Sequence, residues 1–216
     1  EKPLSHLPKD EFSIRWEGTF SFEGVTKFVC RGDNQLSLYL DGASSPFLSC
    51  SWKDDDGTIA RLALEGEHSI RAEMFDGEGS ASAFVFWETD IESCPTGQFL
   101  AKYYDNTNWE GTDRFRRCDD TIDVNWGFES PWINKEKPWE NIPKEEFSVR
   151  WEGTFSFEEG AYAISCTGDD LLDVKIDGTQ ICQSTYQDAY QGGNEELVSL
   201  TEGTHLVHAQ MKEGSQ

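Results

Sequence analysis

The chain has 216 residues, with 41 acidic against 18 basic side chains and a formal net charge of −23. This charge excludes nucleic acid and anionic membrane faces as natural partners, and it favours cations. No apolar run approaches the roughly 18 residues that a membrane-spanning helix needs, so we expect no membrane insertion.

A long internal repeat organises the sequence. Glu1–Glu23 reappears as Glu136–Glu158, with substitutions only at positions 4 to 7, 10 and 14 of the first copy. A repeat spacing of about 135 residues is far longer than a solenoid or propeller unit, so each copy should close its own core. We therefore predict two tandem domains, at residues 1–93 and 94–216.

Apolar residues alternate with polar ones at period two in short stretches of both copies, which predicts half-buried strands. Turn sequences rich in Asp and Gly separate these stretches, and no segment carries a helical stripe. We predict an all-β chain of two antiparallel, jelly-roll-like β-sandwiches, with Trp16 and Trp151 in their cores. The predicted strands lie in Phe12–Trp16, Phe20–Phe22, Leu36–Leu40, Ile70–Met74, Phe147–Trp151, Phe155–Phe157, Leu172–Ile176 and Leu206–His208.

The two copies differ in how they begin and end. The second copy opens with a strand-like segment, Phe99–Asn106, that has no counterpart before the first copy. The first copy closes with Ala81–Trp87, which has no counterpart after the second. We expect the first sandwich to lack its opening strand and the second its closing strand. Such unpaired sheet edges favour assembly with neighbouring segments or copies.

Six cysteines occur, and none has the CxxC spacing of a metal site. Cys30 matches Cys166 in the repeat, and each is followed one loop later by another cysteine, which predicts the pairs Cys30–Cys50 and Cys166–Cys182. Cys94–Cys118 follows only as the remaining pair. Three disulfides are typical of a secreted protein in an oxidising compartment.

A set of motifs in the second copy resembles, in order, the lectin-like domain named after the fourteen-kilodalton region of bacterial protective antigen. The motifs are Phe99–Asn106, Thr121–Gly127, Phe147–Phe155, Gly168–Asp170, Ile176–Gly178 and Glu202–His205. The first copy is similar to the later part of the same family. The resemblance implies a β-sandwich of the kind found in adhesins, flocculins, glycosidases, toxins and extracellular matrix proteins.

The resemblance also implies a calcium site. In sugar-binding members of the family, two adjacent aspartates joined by a cis peptide hold calcium, and sugar hydroxyls complete its shell of six to eight oxygens. The corresponding residues here are Asp169 and Asp170. Glu213 is the side-chain candidate from the later loop, and carbonyls near Ser215 are expected to help.

The first copy departs from this pattern, since it has Asp33 and Asn34 with Asp76 at the later-loop position. An asparagine keeps one oxygen but loses a charge, so we expect a weaker calcium site there. Spacing alone favours a simpler interpretation for both copies, in which these residues form plain turns and cap local backbone groups.

Other residue patterns indicate no catalysis. His68 and His205 recur at equivalent positions and are expected to be structural, and no nucleophile lies in a strained Gly-x-Ser-x-Gly turn. Arg31–Asp33 spells an integrin-binding tripeptide, which we interpret as a coincidence because Asp33 falls at the calcium position. We expect a binding protein and not an enzyme.

Three functions remain open from the sequence. The first is a secreted adhesive module that binds glycans through calcium, within a longer repetitive surface or matrix protein. The second is a purely architectural repeat of an extracellular filament or cell wall, whose partners are neighbouring copies. The third is a non-catalytic accessory domain of a glycosidase. An intact Asp169–Asp170 pair favours the first, and the degraded pair in the first copy favours the second.

Overall fold

The computed structural model describes residues 8–51, 53, 57–127, 129–133, 135–137 and 140–214. The chain divides between Asp90 and Ile91 into two compact units, called unit 1 and unit 2 below. Within the described ranges, no helix has the length and apolar character needed to cross a membrane. The secondary structure is nearly all antiparallel β, which confirms the predicted fold class.

Unit 1 is one five-stranded antiparallel sheet in the order β3-β2-β4-β1-β5. Its strands are β1 (Phe12–Gly32), β2 (Gln35–Leu40), β3 (Leu48–Ser51), β4 (Thr58–Asp76) and β5 (Ala83–Thr89). The long strands β1 and β4 pair along almost their whole length. Strand β2 pairs with residues 70–75 of β4, and β5 pairs with residues 26–32 of β1. These two regions lie at opposite ends of the β1–β4 pair, so that pair contributes to two layers. The layers face each other, as shown by Phe20 and Trp87, whose ring centroids lie 4.8 Å apart.

Unit 2 builds the same layers as two separate sheets. The larger has the order β11-β10-β13-β8-β6-β7, and the smaller pairs β12 with β9. Its elements are β6 (Phe99–Tyr104), β7 (Phe115–Asp119), β8 (Phe147–Phe157), β9 (Gly160–Cys166), β10 (Leu171–Ile176), β11 (Thr179–Thr185), α1 (Tyr186–Tyr190), β12 (Asn194–Leu200) and β13 (Gly203–Glu213). Strands β8 and β9 correspond to the two halves of β1, and one extra residue in the second copy, Glu159, lies at the break between them.

The open edges differ between the units. In unit 2, β6 pairs with β8, with Phe99 opposite Gly153. The equivalent part of β1, residues 12–22, pairs with β4 alone among the described residues. The reverse holds in the other layer. There β5 covers β1 in unit 1, whereas β9 pairs with β12 alone in the described part of unit 2.

This difference decides where the matching tryptophans lie. Trp151 is 1% exposed and belongs to the core of unit 2, as predicted. For Trp16 the core prediction is wrong, since its side chain is 45% exposed. The two strands have nearly the same sequence, so the cause is external to them: β6 covers Trp151, and no described strand covers Trp16.

All three predicted disulfides are confirmed. Cys30–Cys50 and Cys166–Cys182 have Cα separations of 6.0 and 6.1 Å, and each joins strands at equivalent positions of its repeat. Cys94–Cys118 ties the segment before β6 to β7. Each bond closes a short loop, which in the chain-entropy account stabilises a small domain by about 3 kcal/mol.

An Asp–His pair recurs in both units and confirms the structural role of the two histidines. His205 Nδ1 lies 2.6 Å from Asp177 Oδ2, and the backbone N–H of Leu206 donates to the other carboxylate oxygen at 2.9 Å. In unit 1, His68 Nδ1 lies 2.7 Å from Asp41 Oδ2. Asp41 and Asp177 each lie in a left-handed turn before a glycine, as an Asp-Gly turn requires.

The pairs predict a pH dependence of stability. Hydrogen bonds to the Thr201 carbonyl and the Asp177 carboxylate raise the pKa of His205 above 6.5, and His205 lowers the pKa of Asp177 below 3.8. A raised histidine pKa stabilises the fold below about pH 6.5, and that contribution is lost as pH rises through the folded-state value. The aspartate contribution is lost only in acid.

We therefore expect the thermal unfolding midpoint to fall from pH 6 to pH 8.5 by more in the natural protein than in a His68→Asn, His205→Asn double variant. The double variant is needed as a reference because both proteins keep His208, whose pKa is lowered by burial. The contribution of His208 to stability therefore changes with pH in the opposite direction, and it does so equally in both proteins. Equal pH slopes for the two proteins, measured by circular dichroism, would contradict the assigned role of the pairs.

Candidate functional site

Three elements of unit 2 meet at Asp170. Its backbone N–H donates to the Lys212 carbonyl of β13 at 3.2 Å, and its own carbonyl accepts from the N–H of Tyr186 at the start of α1 at 2.8 Å. Its side-chain Oδ2 accepts from the N–H of Gly214 at 2.7 Å. The orientation of Asp170 is therefore fixed by contacts to the strand, the helix and the segment after the strand.

The chain reaches this place through a close approach that only glycine allows. A Cβ on Gly168 would lie 2.3 Å from the Cβ of Leu172, so a larger residue there would displace β10. The peptide bond between Asp169 and Asp170 is cis, in agreement with the expectation from the family resemblance. The structure thus places the two adjacent carboxylates in one short loop between β9 and β10.

Glu213 shares an electrostatic environment with both aspartates. Burial, followed by the charges of Asp170 and Asp169, raises the pKa of Glu213 to about 7. Burial and the neighbouring Asp170 likewise raise the pKa of Asp169. The charges of both aspartates thus act on Glu213, and a cation bound beside them would relieve this repulsion.

The donor set fits a hard cation in chemistry, because carboxylate and carbonyl oxygens are the ligands that calcium prefers. The fit is incomplete in side chains alone: no group of three or more His, Cys, Asp or Glu side chains in the described part of the chain is arranged to hold a metal ion. Further oxygens would have to come from the backbone or from a ligand. Ser215, whose region was expected to help, lies outside the described residues.

Two tyrosines of α1, the helix that begins beside Asp170, were not identified as site residues from the sequence. Tyr186 is 43% exposed and Tyr190 78% exposed, with their ring centroids 4.9 Å apart. The Tyr186 hydroxyl donates to that of Tyr190 at 3.2 Å. This hydrogen bond is the main cause that raises the pKa of Tyr186, and the charges of Asp169 and Asp170 add to it. The sequence shows this pair only as a Tyr-x-x-x-Tyr spacing. That spacing places two rings on one face only in a helix, and no helix was predicted in this segment.

The corresponding place in unit 1 is satisfied only in part, because the second carboxylate oxygen of the buried Asp76, Oδ2, has no hydrogen-bond partner. The Asn34 side-chain Nδ2 donates to Asp76 Oδ1 at 3.0 Å, so an N–H group faces the carboxylate that corresponds to Glu213. Asp33 accepts from the Asn34 backbone N–H at 3.1 Å and from the Ser80 hydroxyl at 2.6 Å. Among the described residues only Asp169–Asp170 has a cis bond, so Asp33–Asn34 is trans.

The described tryptophans of the opening segment of unit 2, Trp109, Trp126 and Trp132, mainly support the core. Trp126 and Trp132 pack against the core cluster, and Trp132 stacks on Phe115 with centroids 4.3 Å apart. The Trp109 indole N–H donates to backbone carbonyls of both β8 and β13, at Val149 and Met211. These contacts favour a structural role for the three side chains.

Comparison with known proteins gives the following similarities. The PA14 domain matches residues 96–211. The anti-sigma-I factor RsgI3 of Acetivibrio thermocellus is 27% identical over 181 residues, which cover 70% of this chain and 26% of that protein. The chain therefore spans about a quarter of the length of this curated relative.

Solved structures to which the chain is similar include an anti-sigma factor domain-containing protein from Clostridium clariflavum, with a TM-score of 0.43 and 20% identity, covering 99% of this chain and 79% of that one. A lectin from Pleurotus ostreatus in complex with GalNAc has a TM-score of 0.31 and 9% identity, covering 99% and 72%.

The PA14 match begins just before β6, includes the Asp169–Asp170 loop and ends within β13. It therefore contains the core and most of the candidate site of unit 2, and it spans more than half of the sequence. The chain belongs to the PA14 domain family.

Proposed function

We propose that unit 2 is a calcium-dependent carbohydrate-binding module that acts outside the cell. The observation that supports the proposal is the cis-linked pair Asp169–Asp170, whose Asp170 side chain accepts from Gly214 just after Glu213, together with the raised pKa of Asp169 and Glu213, which burial and neighbouring carboxylate charges cause. Family membership adds support. The three disulfides are compatible with an oxidising compartment.

Each residue has a distinct part in the proposed site. Asp170 is held in place by the Gly214 N–H and would present its remaining oxygen to the ion, with Asp169 and Glu213 as further oxygen donors. Calcium, when bound, supplies positive charge and open coordination positions for sugar hydroxyls. Tyr186 and Tyr190 offer exposed aromatic faces beside the aspartates, on which the C–H face of a sugar ring can pack.

A second candidate concerns the protein to which the module belongs. The similarity to an anti-sigma-I factor extends over 181 residues, more than one repeat, so it involves parts of both units. We propose that the pair of units is the ligand-binding part of a longer regulatory protein of this type.

The architectural alternative differs in one respect that can be measured, since it requires no sugar ligand.

The calcium proposal is tested by titration calorimetry on the whole chain. We expect one calcium site, and we expect Asp170→Asn to weaken it at least about tenfold, or ~1.4 kcal/mol, because one charged ligand is lost. Glu196→Gln is the matched control, since Glu196 is an exposed carboxylate of β12 in the same unit. Unchanged affinity in Asp170→Asn would remove this residue from the site.

Unit 1 provides a second comparison. The Asn34 side-chain N–H donates to Asp76 where a cation would otherwise lie. We therefore expect the natural protein and the Asp33→Asn variant to give the same heat of calcium binding. A second site that disappears in this variant would show that the first copy retains calcium, as the sequence alone suggested.

The aromatic pair separates sugar binding from calcium binding. We expect Tyr190→Ala to reduce retention on the glycans recognised by the natural protein by about tenfold while calcium affinity stays the same, since a stacking contact of about 1 kcal/mol or more is lost. The measurement is a glycan array with and without a chelator. Retention that survives the chelator would contradict the calcium dependence. No retention on any glycan would contradict the lectin function and favour the architectural one.

A further inference from the structure

The three disulfides differ in how far solvent reaches them. The four cysteines of the two repeated disulfides are at most 4% exposed: Cys30, Cys50, Cys166 and Cys182. Cys118, by contrast, is exposed, and its partner Cys94 is partly buried. A disulfide exchanges with a thiol only when the attacking thiolate reaches one of its sulfur atoms. The Cys94–Cys118 bond is therefore the most accessible of the three in the folded chain.

This accessible disulfide lies at the edge of the larger sheet of unit 2. Cys94 lies five residues before β6, and Cys118 is the last residue but one of β7. Strand β7 is the outermost strand of the sheet and pairs with β6 alone in the described part of the chain. An edge strand with one hydrogen-bonded neighbour is among the first parts of a fold to open locally. The disulfide thus secures an element that is otherwise weakly held.

Hydrogen bonds connect the same two segments less firmly. Gln98 Nε2 donates to Asp120 Oδ1 at 2.7 Å, and Arg116 Nη1 donates to the carbonyl of Ile91 at 3.0 Å. Both hydrogen bonds are exposed, so water competes for the donors and acceptors and their net contribution to stability is small. The disulfide is the covalent link between the segment before β6 and the end of β7.

The strand that the disulfide secures also supports the core of unit 2. Asp119, next to Cys118, accepts from the indole N–H of the buried Trp151 at 2.9 Å. Phe115, at the start of β7, packs against the core cluster, with its ring centroid 5.6 Å from that of Tyr103. Opening β7 would therefore remove the hydrogen-bond partner of the Trp151 indole and uncover one side of the Tyr103 ring.

We propose that Cys94–Cys118 is a redox-sensitive clasp, which a thioredoxin-like protein dithiol reduces while the two repeated disulfides stay oxidised. A thiolate of the dithiol attacks the exposed Cys118 sulfur, and the Cys94 sulfur leaves with the bonding electron pair and takes up a proton. The second thiol of the dithiol then breaks the mixed disulfide, and the Cys118 sulfur leaves and is protonated. Two electrons and two protons pass to the clasp, and the reductant becomes a disulfide. The reduced clasp lets β7 open more often.

The first test measures which disulfide is reduced in the folded 216-residue chain. The protein is incubated with reduced thioredoxin, and in parallel with dithiothreitol. Free thiols are trapped with iodoacetamide at intervals and located by peptide mass spectrometry. We expect Cys94 and Cys118 to be trapped together, at least about tenfold faster than the other four cysteines, because burial keeps thiolates away from the other sulfur atoms.

Denaturant provides the control for the cause of this selectivity. In concentrated urea all six sulfur atoms are accessible, so we expect dithiothreitol to reduce the three disulfides at similar rates. The same preference for Cys94–Cys118 in urea would attribute the selectivity to the local sequence and contradict the role of the fold.

The second test measures what reduction does to β7. Amide hydrogen exchange in residues 115–119 should become at least about tenfold faster when the clasp is reduced, while exchange in β10 of the same sheet stays unchanged. A Cys94→Ser, Cys118→Ser double variant should show the faster exchange without a reductant. Gln98→Ala is the matched control, because it removes a hydrogen bond between the same segments and keeps the disulfide. Its effect should be smaller.

Three results would overturn the proposal. The first is a buried disulfide that is reduced as fast as Cys94–Cys118 in the folded protein. The second is unchanged exchange in residues 115–119 after the clasp is reduced. The third is reduction by dithiothreitol but not by thioredoxin, which would exclude a protein dithiol as the reductant. The natural protein decides all three, even if the double variant fails to fold. Neither test involves calcium or a glycan, so the outcome is independent of the proposed lectin function.

Discussion

The antiparallel pairing of one long strand with another is the constraint on which both units depend. In unit 1 it runs from Phe12 opposite Asp76 to Cys30 opposite Thr58, and in unit 2 the same pairing is divided between β8 with β13 and β9 with β12. The pairing register brings the carboxylate at the end of the later strand, Asp76 or Glu213, to the end of the sheet where the Asp-Asn or Asp-Asp loop arrives. The disulfides and the Asp–His pairs then fix the layers and turns around this frame.

The two copies solve the same electrostatic problem in different ways. In unit 2, Asp169, Asp170 and Glu213 concentrate negative charge, and burial together with the neighbouring carboxylates raises the pKa of Asp169 and of Glu213. In unit 1, the Asn34 amide brings an N–H donor to Asp76, whose side chain is fully buried. The change from carboxylate to amide therefore gives one oxygen of the later carboxylate an internal hydrogen bond, while its other oxygen stays without a partner. The two sites diverge in chemistry while their backbone frames stay alike.

The sequence predicted those features that depend on pattern and repetition. Period-two alternation gave the strands, repeat symmetry gave two disulfides, and the family resemblance indicated the Asp169–Asp170 loop. The sequence could not show that β1 continues through Glu23 and Gly24 while its counterpart breaks, because that depends on one extra residue in a turn. Tyr186 and Tyr190 were missed for a related reason: their five-residue helix is too short to carry periodicity, and its start is fixed by Asp188, which accepts from the Thr185 N–H.

Trp16 shows most clearly where strand patterns stop being informative. Alternation identifies which face of a strand is apolar, and it did so correctly for both Trp16 and Trp151. Burial, however, depends on what lies over that face, and β6 comes from a distant part of the chain. Two strands with nearly the same sequence can therefore differ from 45% to 1% in exposure at the same position. The burial of an apolar face is therefore decided by the elements packed over it, since the strand itself is nearly the same in both copies.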